Sequence, residues 1–297
     1  MKKNYSFMAF STGRESTEGG AVKRYIGVAP VTILAVNPNK EELESIYNTT
    51  LDKAPEYIGT QDIEGKKVPY ARVDFVVKTI AEKCGGIDMT TKVSYFLRKE
   101  FRYNKDHTKV QVIDKYGRTA WVTKEQATAH EIPQYANGPA NLDKDYRPVY
   151  NGEEDLTNFI KIYLGIPNVQ KYVDNKWVLV DKPEECEARL GEVDKLFDGS
   201  FGEIKEIIGY QPNNKVKILF GVRTTDDGKQ YQTAFTQMVL RNNVSDYSKL
   251  DAEVKDRKNN GAYPNTEFVV GPLNEYKVDA TPVEDMPAAT AAPAGWF

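Results

Sequence analysis

Residues 68–79, VPYARVDFVVKT, alternate in chemistry, with Ala71, Val73, Phe75 and Val77 on one side of an extended backbone and Tyr70, Arg72, Asp74 and Lys78 on the other. Successive side chains of a strand point to opposite faces, so this pattern predicts a strand with one face packed and the other meeting solvent or a ligand. Such a strand needs partners. RYIGVAPVTILAVNPN (24–39) is dense in β-branched residues and closes on a Pro/Asn turn. NNKVKILFGVRTTDDGKQYQTAF (213–235) sets Val216, Ile218, Phe220 and Val222 on one face and turns at Asp226, Asp227 and Gly228, and EFVVGPLNEYKVD (267–279) reads as a last strand.

Helical patterns fill the space between. KEELESIYNTTL (40–51) has acids early, as a helix start favours. NGEEDLTNFIKIYLGIP (151–167) places Leu156, Phe159, Ile160, Tyr163 and Leu164 at helical spacing and stops at Gly165 and Pro167. KWVLVDK (176–182) reads as a short strand, LGEVDKLFDG (190–199) and FGEIKEIIGY (201–210) as short helices, and residues 247–260 as a final helix. The fold class expected is α+β: an antiparallel β core, an OB-like barrel, with a helical insertion at about residues 150–212. A Ser/Gly/Thr-rich arm (1–22) and an Ala/Pro tail (279–297) flank the 23–278 body as disordered termini.

The 297 residues, 40% of them apolar, can fill a substantial core, and a mean hydropathy of −0.58 with no long uncharged apolar run argues against a membrane-spanning helix. The amino terminus has no apolar segment of a signal peptide, which places the chain in a cytoplasm. Cys84 and Cys186 lie far apart without a CxxC, as befits buried thiols in a reducing compartment, and with His107 and His130 they show no short ligand spacing. No metal or other cofactor is expected. Phosphate-cradling loops, HExxH and GxSxG are absent, and the acid clusters at 41–44, 153–155 and 226–227 suit helix starts and a turn. No catalytic residue is assigned and no enzyme is expected.

Charge is unevenly distributed. The tail carries Asp279, Glu284 and Asp285 without a base, a local −3 that equals the net charge of the whole chain. Residues 92–124 hold nine bases (Lys92, Arg98, Lys99, Arg102, Lys105, Lys109, Lys115, Arg118 and Lys124) against Glu100, Asp106 and Asp114, with Tyr95, Phe96, Phe101, Tyr103, Tyr116 and Trp121 between them. The segment reads as two long strands joined by a polar loop at 104–108. Val93, Tyr95, Leu97, Val110 and Val112 would point inward; Phe96, Arg98, Arg102, Lys109, Gln111 and Lys115 would point outward, and Gly117 would mark a bulge.

Cations beside flat rings make a sequence-tolerant platform for a single strand, since phosphates meet the charges and any base offers a face for stacking. The candidate DNA-contacting residues are Phe96, Arg98, Arg102, Tyr103, Lys105, Lys109, Lys115, Tyr116, Arg118 and Trp121, with Tyr70 and Arg72 on an adjoining strand. The simpler alternative keeps the rings in the core and uses the bases to solvate and guard a long hairpin.

The tail ends VEDMPAATAAPAGWF, and Glu284, Asp285, Trp296 and Phe297 form a candidate partner-binding tip. This plan resembles bacterial and phage single-stranded DNA-binding proteins, in which an OB-fold grips the strand and a flexible acidic tail ending in an aromatic residue recruits replication partners. The runs FLRKEFRYNKDHTKVQVIDKYGRTAW, YRPVYNGEEDLTNFIKIYLGIP, QPNNKVKILFGVRTTDDGKQYQ and NNGAYPNTEF resemble a family encoded by the crAss-like phages, large tailed phages of gut bacteria. That resemblance implies single-stranded DNA binding in phage replication within the host cell cytoplasm, with a polymerase, primase or helicase as tail partner and no membrane contact. Two rival readings are a virion structural or packaged cargo protein, and a nucleic-acid enzyme whose carboxylates assemble only in the fold.

Overall fold

The computed structural model describes residues 23–131, 142–188, 191–209, 211 and 213–277. In chain order these form β1 (Tyr25–Val36), α1 (Lys40–Tyr47), β2 (Ile58–Ile63), β3 (Lys66–Thr79), β4 (Thr90–Phe101), β5 (Lys109–Ile113), β6 (Thr119–Thr123) and α2 (Lys124–Ala129). There follow β7 (Arg147–Pro148), β8 (Tyr150–Asn151), α3 (Glu153–Tyr163), β9 (Gln170–Val173), β10 (Lys176–Leu179) and α4 (Gly202–Ile208). The chain closes with β11 (Val216–Thr224), β12 (Gln230–Ala234), β13 (Leu240–Arg241), α5 (Ser248–Asn259), β14 (Thr266–Phe268) and β15 (Asn274–Glu275). Short 3-10 turns lie at Ala81–Lys83, Pro183–Cys186 and Val193–Asp198.

The main sheet runs β12-β11-β1-β3-β4-β8 and is antiparallel along this path. It curls into a half-barrel, the OB-like α+β architecture expected. The alternation of residues 68–79 sets its inner face. Ala71, Val73, Phe75 and Val77 of β3 meet Val93, Tyr95 and Leu97 of β4, Ala29, Val31 and Ile33 of β1, and Val216, Ile218 and Phe220 of β11. Leu156, Phe159, Ile160 and Tyr163 of α3 and Ile204 and Ile208 of α4 fill the concavity, so the segment between β8 and β11 supplies the lid of the core. Phe75, Tyr95 and Phe159 form a ring triad with centroids 4.5 to 5.8 Å apart, each such pair adding about 0.5–1.5 kcal/mol beyond area burial.

Parts of the outer face are covered as well. Leu250 and Val254 of α5 pack on Val28, Leu219 and Phe235. Over β3, the chain from Asn37 to Tyr57 closes a polar layer. The Asn37 amide donates to the Arg72 carbonyl, the Asp74 N–H donates to Asn37, and the Tyr57 hydroxyl donates to the Pro38 carbonyl. Burial, with the Asp74 carboxylate nearby, pushes the Tyr47 hydroxyl up to about 12.

Gly152 joins the sheet to α3. Its φ is +87°, and a β carbon there would sit 1.9 Å from the Phe96 carbonyl oxygen, so only glycine permits this approach. The Glu153 side chain, fully buried, then accepts from both terminal nitrogens of Arg147 and from the Tyr150 N–H. Those bonds tie β7 and β8 to the helix start.

The paired long strands expected in residues 92–123 are not what forms. β4 stays in the main sheet, whereas β5 and β6 leave it for a separate three-stranded sheet in the order β6-β5-β7. The two parts meet at one bridge, Tyr103 opposite Val110, flanked by a bond from the Gln111 N–H to the Arg102 carbonyl. This small sheet has its own core of Val110, Val112, Ala120, Val122, Leu142 and Tyr146. Gly117 marks a turn and not a bulge: with φ +74° it closes residues 114–118, where Asp114 accepts from the N–H groups of Tyr116 and Arg118. The 190–199 helix is a 3-10 turn, and the last expected strand is two pieces, β14 and β15.

Candidate nucleic-acid interface

The sequence-predicted DNA residues separate into a group with outward-facing rings and free cations and a group that serves the fold. Phe96 and Arg98 project outward from β4, where Phe96 is 45% exposed and Arg98 has no ion pair among the described residues. Tyr70 stands opposite Arg98 on β3 and lays its ring over Gly59 of β2, half-buried. These three form one outward patch.

A second patch lies on β5 and β6. Lys109 pairs with Thr123 and Gln111 with Trp121, so Lys109 and Trp121 share a face. Trp121 is 39% exposed, with the Arg102 guanidinium 6.0 Å from its ring centre. Lys105 is exposed in the loop before β5, where the Asn104 side chain accepts from the Lys109 N–H and His107 takes φ +57°. Lys105 and Lys109 form no ion pair among the described residues. Tyr103 is half-buried, stacked on His107 at 5.5 Å with the Lys124 ammonium 5.4 Å from its ring.

The remaining candidates are corrected by burial or by acids. Arg72 does not face a ligand: it is 7% exposed and held 3.1 Å from Asp74, which also lies 3.3 Å from Lys92. Gln111 is buried instead of exposed. Tyr116 is no stacking platform, because its ring is buried with Val169 and Cys186 beneath Lys115 and Arg118. Arg118 is locked on Asp114 at 2.6 Å, and Lys115 reaches Asp143 and Glu187, the nearby Asp143 carboxylate raising its pKa.

Arg102 donates to Glu154 at 2.7 Å, and the same carboxylate accepts from the Gln111 amide and the Thr119 hydroxyl. Lys99 is 3.4 Å from Asp194. Apart from Asp114, which holds Arg118, the acids that answer the basic segment thus come from positions 74, 143, 154, 187 and 194, all outside residues 92–124. A charge count along the chain cannot see them.

Two exposed aromatic features were not among the candidates. Phe101 is 39% exposed and stacks on Tyr150 at 5.2 Å. Tyr172 and Trp177 stand on the β9–β10 hairpin, 60% and 44% exposed. The signal for that hairpin is an Asp-Asn pair between alternating residues, KYVDNKW, whose second strand alone is in the expected set. Glu284, Asp285, Trp296 and Phe297 lie outside the described residues.

Among the described residues no group of three or more His, Cys, Asp or Glu side chains could hold a metal ion, and no helix is long and apolar enough to cross a membrane. Cys84 and Cys186 are buried free thiols. Comparison with protein-family models, curated proteins and solved structures finds no match, so the likeness to the phage family rests on the quoted runs alone.

Proposed function

We propose that the protein binds single-stranded DNA without strong sequence preference and without catalysis, as a replication protein of a phage acting in the host cytoplasm. The observation that carries this reading is the pairing of outward rings with cations that no described acid neutralises: Phe96 with Arg98, and Trp121 with Lys109. An unpartnered cation releases counterions when it meets a phosphate, and an exposed ring stacks on any base. The acidic tail ending in Trp296 and Phe297 serves a polymerase, primase or helicase in this reading.

Titration of a labelled dT oligonucleotide with the full chain, over a series of salt concentrations and beside a duplex of equal length, tests it. Submicromolar binding at low salt that weakens steeply as salt rises, with little affinity for duplex, is expected. Equal and weak binding of both forms removes the reading. Removal of residues 279–297 should leave or raise strand affinity, because an acidic segment competes with phosphates for cations, while abolishing retention of the partner enzyme.

A further inference from the structure

The β9–β10 hairpin has more exposed apolar surface than any neighbouring element explains. Its turn residues Asp174 and Asn175 take φ +50° and +62°, the left-handed pair that two-residue hairpin turns demand. Trp177 lies directly opposite Tyr172, and Leu179 opposite Gln170, so one face carries both rings. The reverse face carries Lys171, Val173, Lys176 and Val178. Its strands pair with each other and with no third strand among the described residues. A two-stranded ribbon is marginal by itself, which makes two solvent-facing rings at its tip a feature that calls for an occupant.

The ring geometry restricts that occupant. The Tyr172 and Trp177 planes are inclined at 59° with centroids 5.3 Å apart, so neither ring covers the face of the other. A flat group can therefore lie on either. Each ring has a lysine as its chain neighbour, Lys171 and Lys176, whose side chains leave from the reverse face of the ribbon, and Lys176 has no acid partner among the described residues. Lys171 is 3.8 Å from Asp181, which is itself 94% exposed, a contact that water and salt weaken readily. An exposed aromatic face on a thin ribbon whose other face carries positive charge suits an unpaired base and its phosphates, whereas the bases of a duplex have their faces already covered.

The foot of the hairpin roots it in the body of the protein beside the acid-paired Lys115 and Arg118. Val169 and Val180 join backbone to backbone at 2.9 Å and pack with the buried ring of Tyr116, over which Lys115 and Arg118 lie. We infer that this hairpin is an arm that extends the single-strand path, stacking a base on the Tyr172–Trp177 pair while Lys171 and Lys176, on the reverse face of the two-stranded ribbon, attract the strand's phosphates. This rests on the single-stranded DNA reading and gives it a contact outside residues 92–124.

The test uses the full chain and a fluorescein-labelled dT oligonucleotide. Tyr172→Ala and Trp177→Ala should each weaken binding by about 5- to 150-fold, the range that loss of one stacked ring produces, and Trp177→Phe should restore most of it. The double substitution Lys171→Glu with Lys176→Glu should weaken binding and flatten its salt dependence; it alters only exposed side chains, so it keeps the test valid if a ring variant folds poorly. The chain has three tryptophans, so emission quenched by dT should persist in Trp121→Phe with Trp296→Phe and fall away when Trp177 is replaced as well.

If the arm variants bind like the parent while Arg98→Ala is weakened, the arm inference fails and the reading of the protein stands. If they instead convert a sedimenting dimer to monomer with strand affinity unchanged, the arm is a contact between copies and the inference is overturned. An intact chain that binds no dT at low salt removes both.

Discussion

Arg102, at the end of β4, and Glu154, in the first turn of α3, meet at 2.7 Å and take Gln111 and Thr119 with them into one hydrogen-bonded group. A cation counted in the sequence as a phosphate contact is thereby the link between the half-barrel, the small sheet and the helix. Glu154→Ala leaves three donors without their acceptor, and a cost of about 2–3 kcal/mol is expected in urea unfolding. Glu154→Gln, which can still accept, should cost less. A midpoint unchanged in both variants would mean that the group adds nothing to stability.

The cations sort by partner, and so should their variants. Arg98→Ala, Lys105→Ala and Lys109→Ala should each weaken dT binding and reduce the slope of log affinity against log salt by roughly 0.7, with unfolding midpoints within about 0.5 kcal/mol of the parent. Arg72→Ala and Arg118→Ala should do the reverse. Arg72 and Arg118 hold the buried carboxylates of Asp74 and Asp114, and removing either leaves a charge without its main partner, at a cost of about 3 kcal/mol or more. Measuring affinity and stability side by side for the five variants separates the two groups.

Gly152 offers a backbone test. Alanine there must hold φ +87° and place its β carbon 1.9 Å from the Phe96 carbonyl oxygen, so the start of α3 has to shift away from β4. A loss of more than about 2 kcal/mol is expected for Gly152→Ala. A melting temperature equal to the parent's would contradict this close approach.

Asp155 sets a pH dependence. Burial first, then the neighbouring Glu154 charge, pushes its carboxyl from 3.8 up to about 6. The folded form therefore holds the proton more tightly than the unfolded chain. The unfavourable charge is fully present above about pH 6 and is relieved as pH falls toward 4. Asp155→Asn should raise the melting temperature at pH 8 and give little gain at pH 4.5. A gain of the same size at both values would assign the effect to something other than ionisation.

The half-barrel was legible because its evidence is local. The alternation of Ala71, Val73, Phe75 and Val77, the β-branched run of β1 and the helical spacing of Leu156, Phe159 and Ile160 each report a face, and the faces meet in one core. What the same patterns could not report is what covers the opposite side. Arg72 and Asp74 sit at outward positions of β3 as their parity requires, yet residues 37–57 close over them. Gln111 is outward from its own sheet and is buried because α3 brings Glu154 to it. The division at Tyr103 was hidden for a related reason. Residues 92–123 have strand composition on both sides of the polar loop at 104–108, and the departure of β5 from the main sheet depends on β7, an element 35 residues downstream of Val112 at Arg147.

The acids that answer the basic segment also carry a temporal meaning. Asp143, Glu154, Glu187 and Asp194 all follow residue 124 in the chain, so a ribosome delivers the nine cations before four of their five distant counter-charges exist. During that interval the growing polypeptide carries a net positive charge as it emerges beside ribosomal and messenger RNA. Its completion discharges it, and purification of chains arrested near residue 130 should recover more co-purifying RNA than the finished protein does.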